Sequence, residues 1–212
     1  LSDRASQPMT CENGRLVVVF NGEIYNYPQL RGKLESNGVS FRTTSDTEVL
    51  LHLYARHGPE MAAMLRGMFA FAVWDVRARR LLVARDRIGI KPLYYSWDGK
   101  RLAFASELKS LLALRDIDVQ IDPTAVNHLL TFLTTPRDRS IVTGIEEVQP
   151  GHLLHTVRGT NEIGVRSYWD VRFEPDHTAT IEDLTEEVRA MLEESTRLHM
   201  VSDVPVGAFL SG

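Results

Sequence analysis

The chain has 212 residues, enough for one large domain or for one domain and the start of another. Its net charge of −4, with 43% hydrophobic and 25% charged residues, is ordinary for a soluble globular protein and gives no reason to expect a nucleic acid or an acidic membrane as a partner. No apolar stretch reaches the length of a membrane span, and the single cysteine, Cys11, excludes an internal disulfide framework and agrees with a cytoplasmic location.

Residues 15–20 form a short apolar, β-branched run, which predicts a buried strand. We expect the strand to end in a turn at Asn21-Gly22, because this dipeptide is a turn signal. A helix is predicted next, with Asn26 as its N-cap and Gly38 at its end.

A second helix is marked by a capping box, in which Ser45 and Glu48 stand three residues apart, and it stops at Gly58-Pro59. From Met68 onward the apolar period changes to that of strands. Further extended segments are predicted at 69–75, 80–86, 93–95, 101–105 and 141–173, and helices at 107–114 (capped by Ser106) and 123–133. Several antiparallel strands beside grouped helices indicate a layered α+β domain.

A polar stretch at 173–179 separates this domain from an amphipathic helix capped by Thr180. A strand-like run follows and leads to Ser211-Gly212. This order is typical of the start of an α/β nucleotide-binding domain, because glycine lets backbone N–H groups approach a phosphate. Since the chain begins with Leu1 and the loop is cut, we expect a fragment of a longer protein.

Four residues are candidates for chemistry, and each also has a plain structural interpretation. Asn21 and Gly22 could offer an amide and a backbone N–H to a developing oxyanion, or could form a simple turn. Glu23 could bind an ammonium group or lie free on the surface. Asp46 could be a second carboxylate for that group, or could interact only with the helix dipole, which is worth about 0.3–1 kcal/mol.

Other reactive side chains give weaker signals. The charged segment 85–93 could be functional or could be a solvated turn with local ion pairs. Cys11 has no His nearby in sequence, so we expect a bystander thiol rather than a nucleophile. The seven His residues show no metal-ligand spacing, and no metal site is predicted.

Seven segments, in this order along the chain, resemble those of glutamine-hydrolysing asparagine synthetases. They lie at 7–9, 21–26, 45–48, 67–72, 85–95, 106–111 and 202–207. The Asn-Gly-Glu and Arg-Asp-x-x-Gly motifs recur in other class II glutamine amidotransferases. The C-terminal Ser-Asp-Val-Pro-x-Gly-x-x-Leu-Ser-Gly is more specific to synthetases of this type.

The resemblance implies two domains. Residues 1–172 would be a glutaminase domain with the α/β/β/α sandwich of N-terminal-nucleophile hydrolases, here incomplete. A linker at 173–180 would lead to the start of an ATP-pyrophosphatase domain at 181–212. Ammonia released from glutamine would amidate aspartate through an aspartyl-adenylate, with ATP and Mg²⁺ used by the synthetase domain.

The resemblance also implies the site residues. Glutamine would be held by Asn21, Gly22, Glu23 and Asp46, of which the first two form the oxyanion hole. The ATP site would begin with Leu210, Ser211 and Gly212. The family's nucleophile, a cysteine at the mature N-terminus, is absent, so this chain alone is expected not to hydrolyse glutamine. A different carboxylate acceptor, or a non-catalytic module that binds glutamine or a protein, stays open, as does a homodimer.

Overall fold

The computed structural model describes residues 6–11, 13–136, 138–202, 204–207 and 209. The strands are β1 (Met9–Thr10), β2 (Leu16–Ile24), β3 (Gly67–Asp75), β4 (Arg80–Arg85), β5 (Tyr94–Trp97), β6 (Leu102–Ala105), β7 (Glu146–Glu147), β8 (His152–Val157) and β9 (Ile163–Ser167). The helices are α1 (Tyr27–Ser36), α2 (Asp46–His57), α3 (Met61–Met64), α4 (Leu108–Leu112), α5 (Pro123–Phe132) and α6 (Ile181–His199), with a 3₁₀ turn at Gly58–Glu60.

The strands form two antiparallel sheets. The larger sheet has the order β1-β2-β3-β4-β8-β9, and the smaller sheet has the order β6-β5-β7. Neighbours in each sheet run antiparallel. The prediction of a layered α+β domain is therefore confirmed.

Three apolar cores show how the layers stack. On β3, Phe69 and Phe71 face the core shared with α1 and α2, whereas Ala70 and Ala72 face the core between the two sheets. This follows from the period of two that a strand imposes on its side chains. A third core joins the far face of the smaller sheet to α4 through Leu111. The order is helices, sheet, sheet, helix, as expected for the sandwich.

The β2 strand corrects one prediction. It does not end in a turn at Asn21-Gly22 but continues to Ile24, in unbroken register with β3. Nine consecutive cross-strand pairs outweigh the local turn preference of one dipeptide. Only Leu16, Val18 and Ile24 of this strand are buried, so it is half-buried rather than fully buried.

The helix caps confirm some sequence signals and correct others. Thr180 caps α6 and forms a full capping box with Asp183. Ser45 caps α2 by accepting from the N–H of Thr47 at 3.2 Å. Glu48 does not complete that box, because its carboxylate turns to the preceding loop. The N-cap Asn26 makes no side-chain cap bond to α1.

The C-terminal helix α6 lies against the end of β2 but leaves its apolar stripe exposed. The ring of His199 packs 4.3 Å from that of Tyr25, and Arg66 pairs with Glu194 at 2.8 Å. After α6, the residues that the structure describes form no strand, so the predicted strand before Ser211 is not found among them. Among the described residues, no helix combines the length and the apolar character needed to cross a bilayer.

Candidate active site

The edge of β2 on the side of β1 presents backbone donors. Beside 19–24 the described residues place no partner strand on the side of β1. The N–H of Phe20 donates to Gln7 Oε1 at 2.6 Å, and the N–H of Ile24 donates to Asp46 Oδ2 at 3.1 Å. Because N–H directions alternate along a strand, the N–H of Gly22 points to the same side as those of Phe20 and Ile24.

Only glycine fits at position 22. Its φ is +149°, and a Cβ there would lie 2.0 Å from the carbonyl oxygen of Met68 and 2.8 Å from Cα of Phe69. The β3 backbone thus approaches Gly22 as closely as a residue without a side chain allows. The site depends on this close approach, because it sets where the Gly22 N–H points.

The side chain of Asn21 lies on the face of β2 that looks toward the smaller sheet. Its Nδ2 donates to Ser106 Oγ at 3.2 Å. Asn21 borders a cavity of about 220 Å³ between the sheets. Other lining residues include Gln7, Val19, Ala70, Leu93, Phe104 and Ser106. The amide of Asn21 and the N–H of Gly22 are therefore adjacent donors at one edge of the sheet.

Ser106 was predicted to cap the helix that follows β6, and this prediction is wrong. The helix is α4, shorter than the predicted 107–114, and its N-cap is Glu107 without a side-chain cap bond. The hydroxyl of Ser106 bonds to Asn21 instead. Sequence reasoning missed this contact because the two residues are 85 positions apart.

Asp46 and Glu23 form a pair of interacting carboxylates. Asp46 is the first residue of α2, and burial raises the pKa of its carboxyl group. The charge of Glu23 raises that pKa further, while hydrogen bonds from Ile24, Thr47 and Ser45 partly oppose the rise. Two carboxylates that repel each other at a partly buried site favour a cation between them. That Glu23 and Asp46 together hold an ammonium group stays a prediction.

Glu48 holds the loop that leads into Asp46. Its carboxylate is buried and accepts from the N–H of Arg42 at 2.9 Å and from the N–H and hydroxyl of Thr43, both at 2.7 Å. Burial by itself would raise the pKa of Glu48, but these hydrogen bonds and the nearby His52 lower it overall. Sequence reasoning noticed Glu48 only as part of a capping box and missed this role.

The charged segment after β4 is not a solvated turn, because its two leading charges are buried. Asp86 is fully buried, and its carboxylate accepts from the backbone N–H groups of Phe69, Ile88, Ile90 and Lys91 at 2.9–3.3 Å. Arg85, 6% exposed, donates to three carbonyl groups and pairs with Glu147 at 3.0 Å. Asp86 thus fastens the segment to Phe69 of β3, opposite Gly22, and Arg85 fastens it to Glu147 of β7 and to Val148.

Cys11 has a structural place in the turn between β1 and β2. Its thiol donates to Asn13 Oδ1 and accepts from the N–H of Leu16, both at 3.0 Å. In the part of the chain that the structure describes, no three His, Cys, Asp or Glu side chains come together to hold a metal. The predicted ATP residues 210–212 lie outside the described residues.

Comparison with known proteins decides the family. A family model described as a glutamine amidotransferase domain matches residues 1–169. The chain belongs to this amidotransferase family. A second model, described as asparagine synthase, matches residues 187–212. The amidotransferase region thus covers the two sheets, and the second match begins inside α6.

The similar proteins agree with this assignment. Asparagine synthetase [glutamine-hydrolyzing] 1 of Bacillus subtilis is 41% identical over 210 residues, which cover 99% of this chain and 33% of that protein. Asparagine synthetase [glutamine-hydrolyzing] 3 of the same organism is 39% identical, over 97% of this chain and 34% of its own length. The amidotransferase chain therefore spans about a third of the length of the curated relatives it matches.

A solved structure confirms the fold. The glutamine phosphoribosylpyrophosphate amidotransferase of B. subtilis, in complex with ADP and GMP, superposes with a TM-score of 0.51 at 25% identity. The match covers 77% of this chain and 32% of that one. The expected sandwich of the N-terminal-nucleophile type is thus shared with a known amidotransferase.

Proposed function

We propose that this chain is most of the glutaminase domain of a glutamine-hydrolysing asparagine synthetase, with the entry to its synthetase domain. The observation that carries the proposal is the juxtaposition at the end of β2. Two donors, the amide of Asn21 and the N–H of Gly22, lie beside two carboxylates, Glu23 and Asp46. Glutamine hydrolysis needs both kinds of group, since the substrate carries an ammonium group and its amide becomes an oxyanion.

In the proposed reaction each pair has one task. Glu23 and Asp46 bind the ammonium group of glutamine. The family's N-terminal cysteine attacks the side-chain amide carbon, and the electrons of its C=O bond move to the oxygen. Asn21 and Gly22 donate to that oxyanion, and a donor of this kind contributes roughly 2.7–4 kcal/mol to transition-state stabilisation. The α-amine of that cysteine takes the thiol proton and passes it to the amide nitrogen, so that the oxyanion collapses and the C–N bond breaks with release of ammonia. Water then hydrolyses the thioester to glutamate and restores the thiol.

The second part of the proposal concerns the fate of the ammonia. We assign 1–172 to the glutaminase domain, 173–180 to the linker and 181–212 to the start of the synthetase domain. There ATP and Mg²⁺ would activate aspartate as an adenylate, which ammonia attacks. Leu210, Ser211 and Gly212 would begin the ATP site. The match of an asparagine synthase model to 187–212 supports this assignment.

The test uses the full-length protein and two nitrogen sources. Asp46→Asn should strongly raise KM for glutamine while leaving synthesis from ammonium unchanged, because ammonium does not need the glutaminase site. Asp116→Asn is the matched control, since it makes the same chemical change at a side chain 72% exposed. Glutamine dependence that is unaffected by Asp46→Asn would remove Asp46 from the site.

The acceptor is tested separately. Purified protein is supplied with ATP, ammonium and one carboxylate at a time, and pyrophosphate and amide are measured. Aspartate should give both products. Formation of pyrophosphate and amide with another carboxylate but not with aspartate would favour a related synthetase. If glutamine binds but no ammonia is released from the full-length protein, the non-catalytic binding module is favoured instead.

A further inference from the structure

Ser106 makes a contact that joins the two sheets at the proposed oxyanion hole. Asn21 belongs to β2 of the larger sheet, whereas Ser106 directly follows β6 of the smaller sheet. The hydrogen bond from Asn21 Nδ2 to Ser106 Oγ is 3.2 Å long, and both residues line the cavity between the sheets. Ser106 does not cap α4, so its hydroxyl does not accept a hydrogen bond from the first turn of that helix.

We propose that Ser106 is a positioning residue for glutamine hydrolysis, which orients the carboxamide of Asn21 as an oxyanion donor. The inference rests on the proposed function, because it assumes that Asn21 donates to the oxyanion. It goes beyond that function by assigning a role to a residue of the other sheet.

The chemistry of the amide group explains why such a partner is needed. The NH₂ group of asparagine carries two hydrogens in the plane of the carboxamide. When one of these hydrogens bonds to Ser106, the plane of the carboxamide is fixed and the second hydrogen is left for the substrate. Without a partner, the terminal torsion of asparagine is broad and nearly two-fold. The side chain of Asn21 would then also present its oxygen, which repels an oxyanion.

A positioning role and a merely structural role predict different kinetics. Loss of an oriented oxyanion donor weakens the transition state and not the bound substrate, so kcat falls and KM stays the same. Loss of a contact that only joins two sheets lowers stability, and it affects glutamine-dependent and ammonia-dependent synthesis alike. One neutral hydrogen bond of about 0.5–1.5 kcal/mol corresponds to roughly a 2–12-fold change in rate.

The experiment measures glutaminase kinetics of the full-length protein. Ser106→Ala should lower kcat about tenfold with KM for glutamine unchanged, whereas Ser106→Thr, which keeps the hydroxyl, should retain most of kcat. Ser110→Ala, an exposed serine on α4, is the control and should have no effect. Ser106→Cys should give an intermediate loss, and it keeps the test decidable if the alanine variant does not fold.

A double-mutant cycle separates this proposal from the proposed function. Ser106→Ala should add nothing further in an Asn21→Ala background, because the group that it orients is gone. If Asn21→Ala lowers kcat but Ser106→Ala and Ser106→Cys do not, the role of Ser106 is refuted and the oxyanion hole stands. If Ser106→Ala lowers kcat by the same factor in the parent protein and in the Asn21→Ala protein, the positioning role of Ser106 is refuted as well. If Asn21→Ala leaves kcat unchanged, the oxyanion role and the Ser106 proposal both fail.

Discussion

Gly22 offers the sharpest test of the site geometry. In Gly22→Ala the new Cβ would lie 2.0 Å from the carbonyl oxygen of Met68, whereas real Cβ contacts below 3.0 Å are essentially never seen. The β3 backbone would therefore have to retreat by about 1 Å, within a strand that is paired on both sides. The residue must also keep its φ of +149°, which L side chains rarely adopt.

Both effects can be given a magnitude. Overpacking in a well-packed region costs about 1–3 kcal/mol, and a disfavoured backbone conformation costs about 1–3 kcal/mol. We therefore expect Gly22→Ala to lower the free energy of unfolding by about 2–6 kcal/mol. In a domain of this size that corresponds to a fall in Tm of roughly 6–18 °C.

The measurement is urea and thermal unfolding, with Gly32→Ala as the matched control. Gly32 lies inside α1, and a Cβ there would meet nothing within 4 Å. Its replacement should stabilise the protein by about 0.5–1 kcal/mol, because alanine is the better helix former. A Gly22→Ala protein as stable as the parent would refute the close approach of β3, and with it our placement of the Gly22 N–H.

Three further predictions concern the carboxyl groups of Glu48, Asp46 and Asp86. Glu48→Gln should lower the free energy of unfolding by about 1.5–3 kcal/mol at neutral pH. Because the fold lowers the pKa of Glu48, this deficit should be complete above the ordinary pKa of 4.5 and should disappear as the pH falls through the lowered value, as urea titrations can show. The fold raises the pKa of Asp46, so the stability that its protonated carboxyl group contributes is lost as the pH rises through the raised pKa. Asparagine carries no charge at neutral pH, so Asp46→Asn should raise Tm there. A lower Tm would contradict this. Asp86→Ala should lower the free energy of unfolding by more than about 3 kcal/mol, because four backbone N–H groups lose their acceptor. Asp98→Ala, in an exposed turn, should lower it by at most about 1 kcal/mol. Urea unfolding of both variants tests the contrast.

The sequence predicted the layers well because their signals are local. The strands on either side of 76–79, the helix stop at Gly58 and the cap at Thr180 follow from short patterns of polarity, glycine and hydroxyl residues. The turn at Asn21-Gly22 was wrong for the opposite reason. A turn preference concerns four residues, whereas the path of β2 is decided by β3, which lies about 50 positions further along the chain.

The candidate site could be predicted only in part. Asn21, Gly22, Glu23 and Asp46 came from motifs, and the structure gathers them at the end of β2. Partners that orient these residues came from no motif. The bond from Asn21 to Ser106 depends on how two sheets stack, and a hydroxyl residue before a short helix gives the same local signal whether it caps the helix or not.

The raised pKa of Asp46 leads to a test of the proposal that Asp46 and Glu23 bind an ammonium group at this end of β2. Burial and the charge of Glu23 both raise the pKa of Asp46, so they disfavour its ionised form. An ammonium group between the two carboxylates would remove that repulsion. Binding would then lower the pKa of Asp46 and release any proton it carries, so glutamine affinity should fall on acidification at a higher pH than for an ordinary aspartate. An affinity that stayed constant down to the ordinary pKa of 3.8 would show that the ammonium group is held elsewhere.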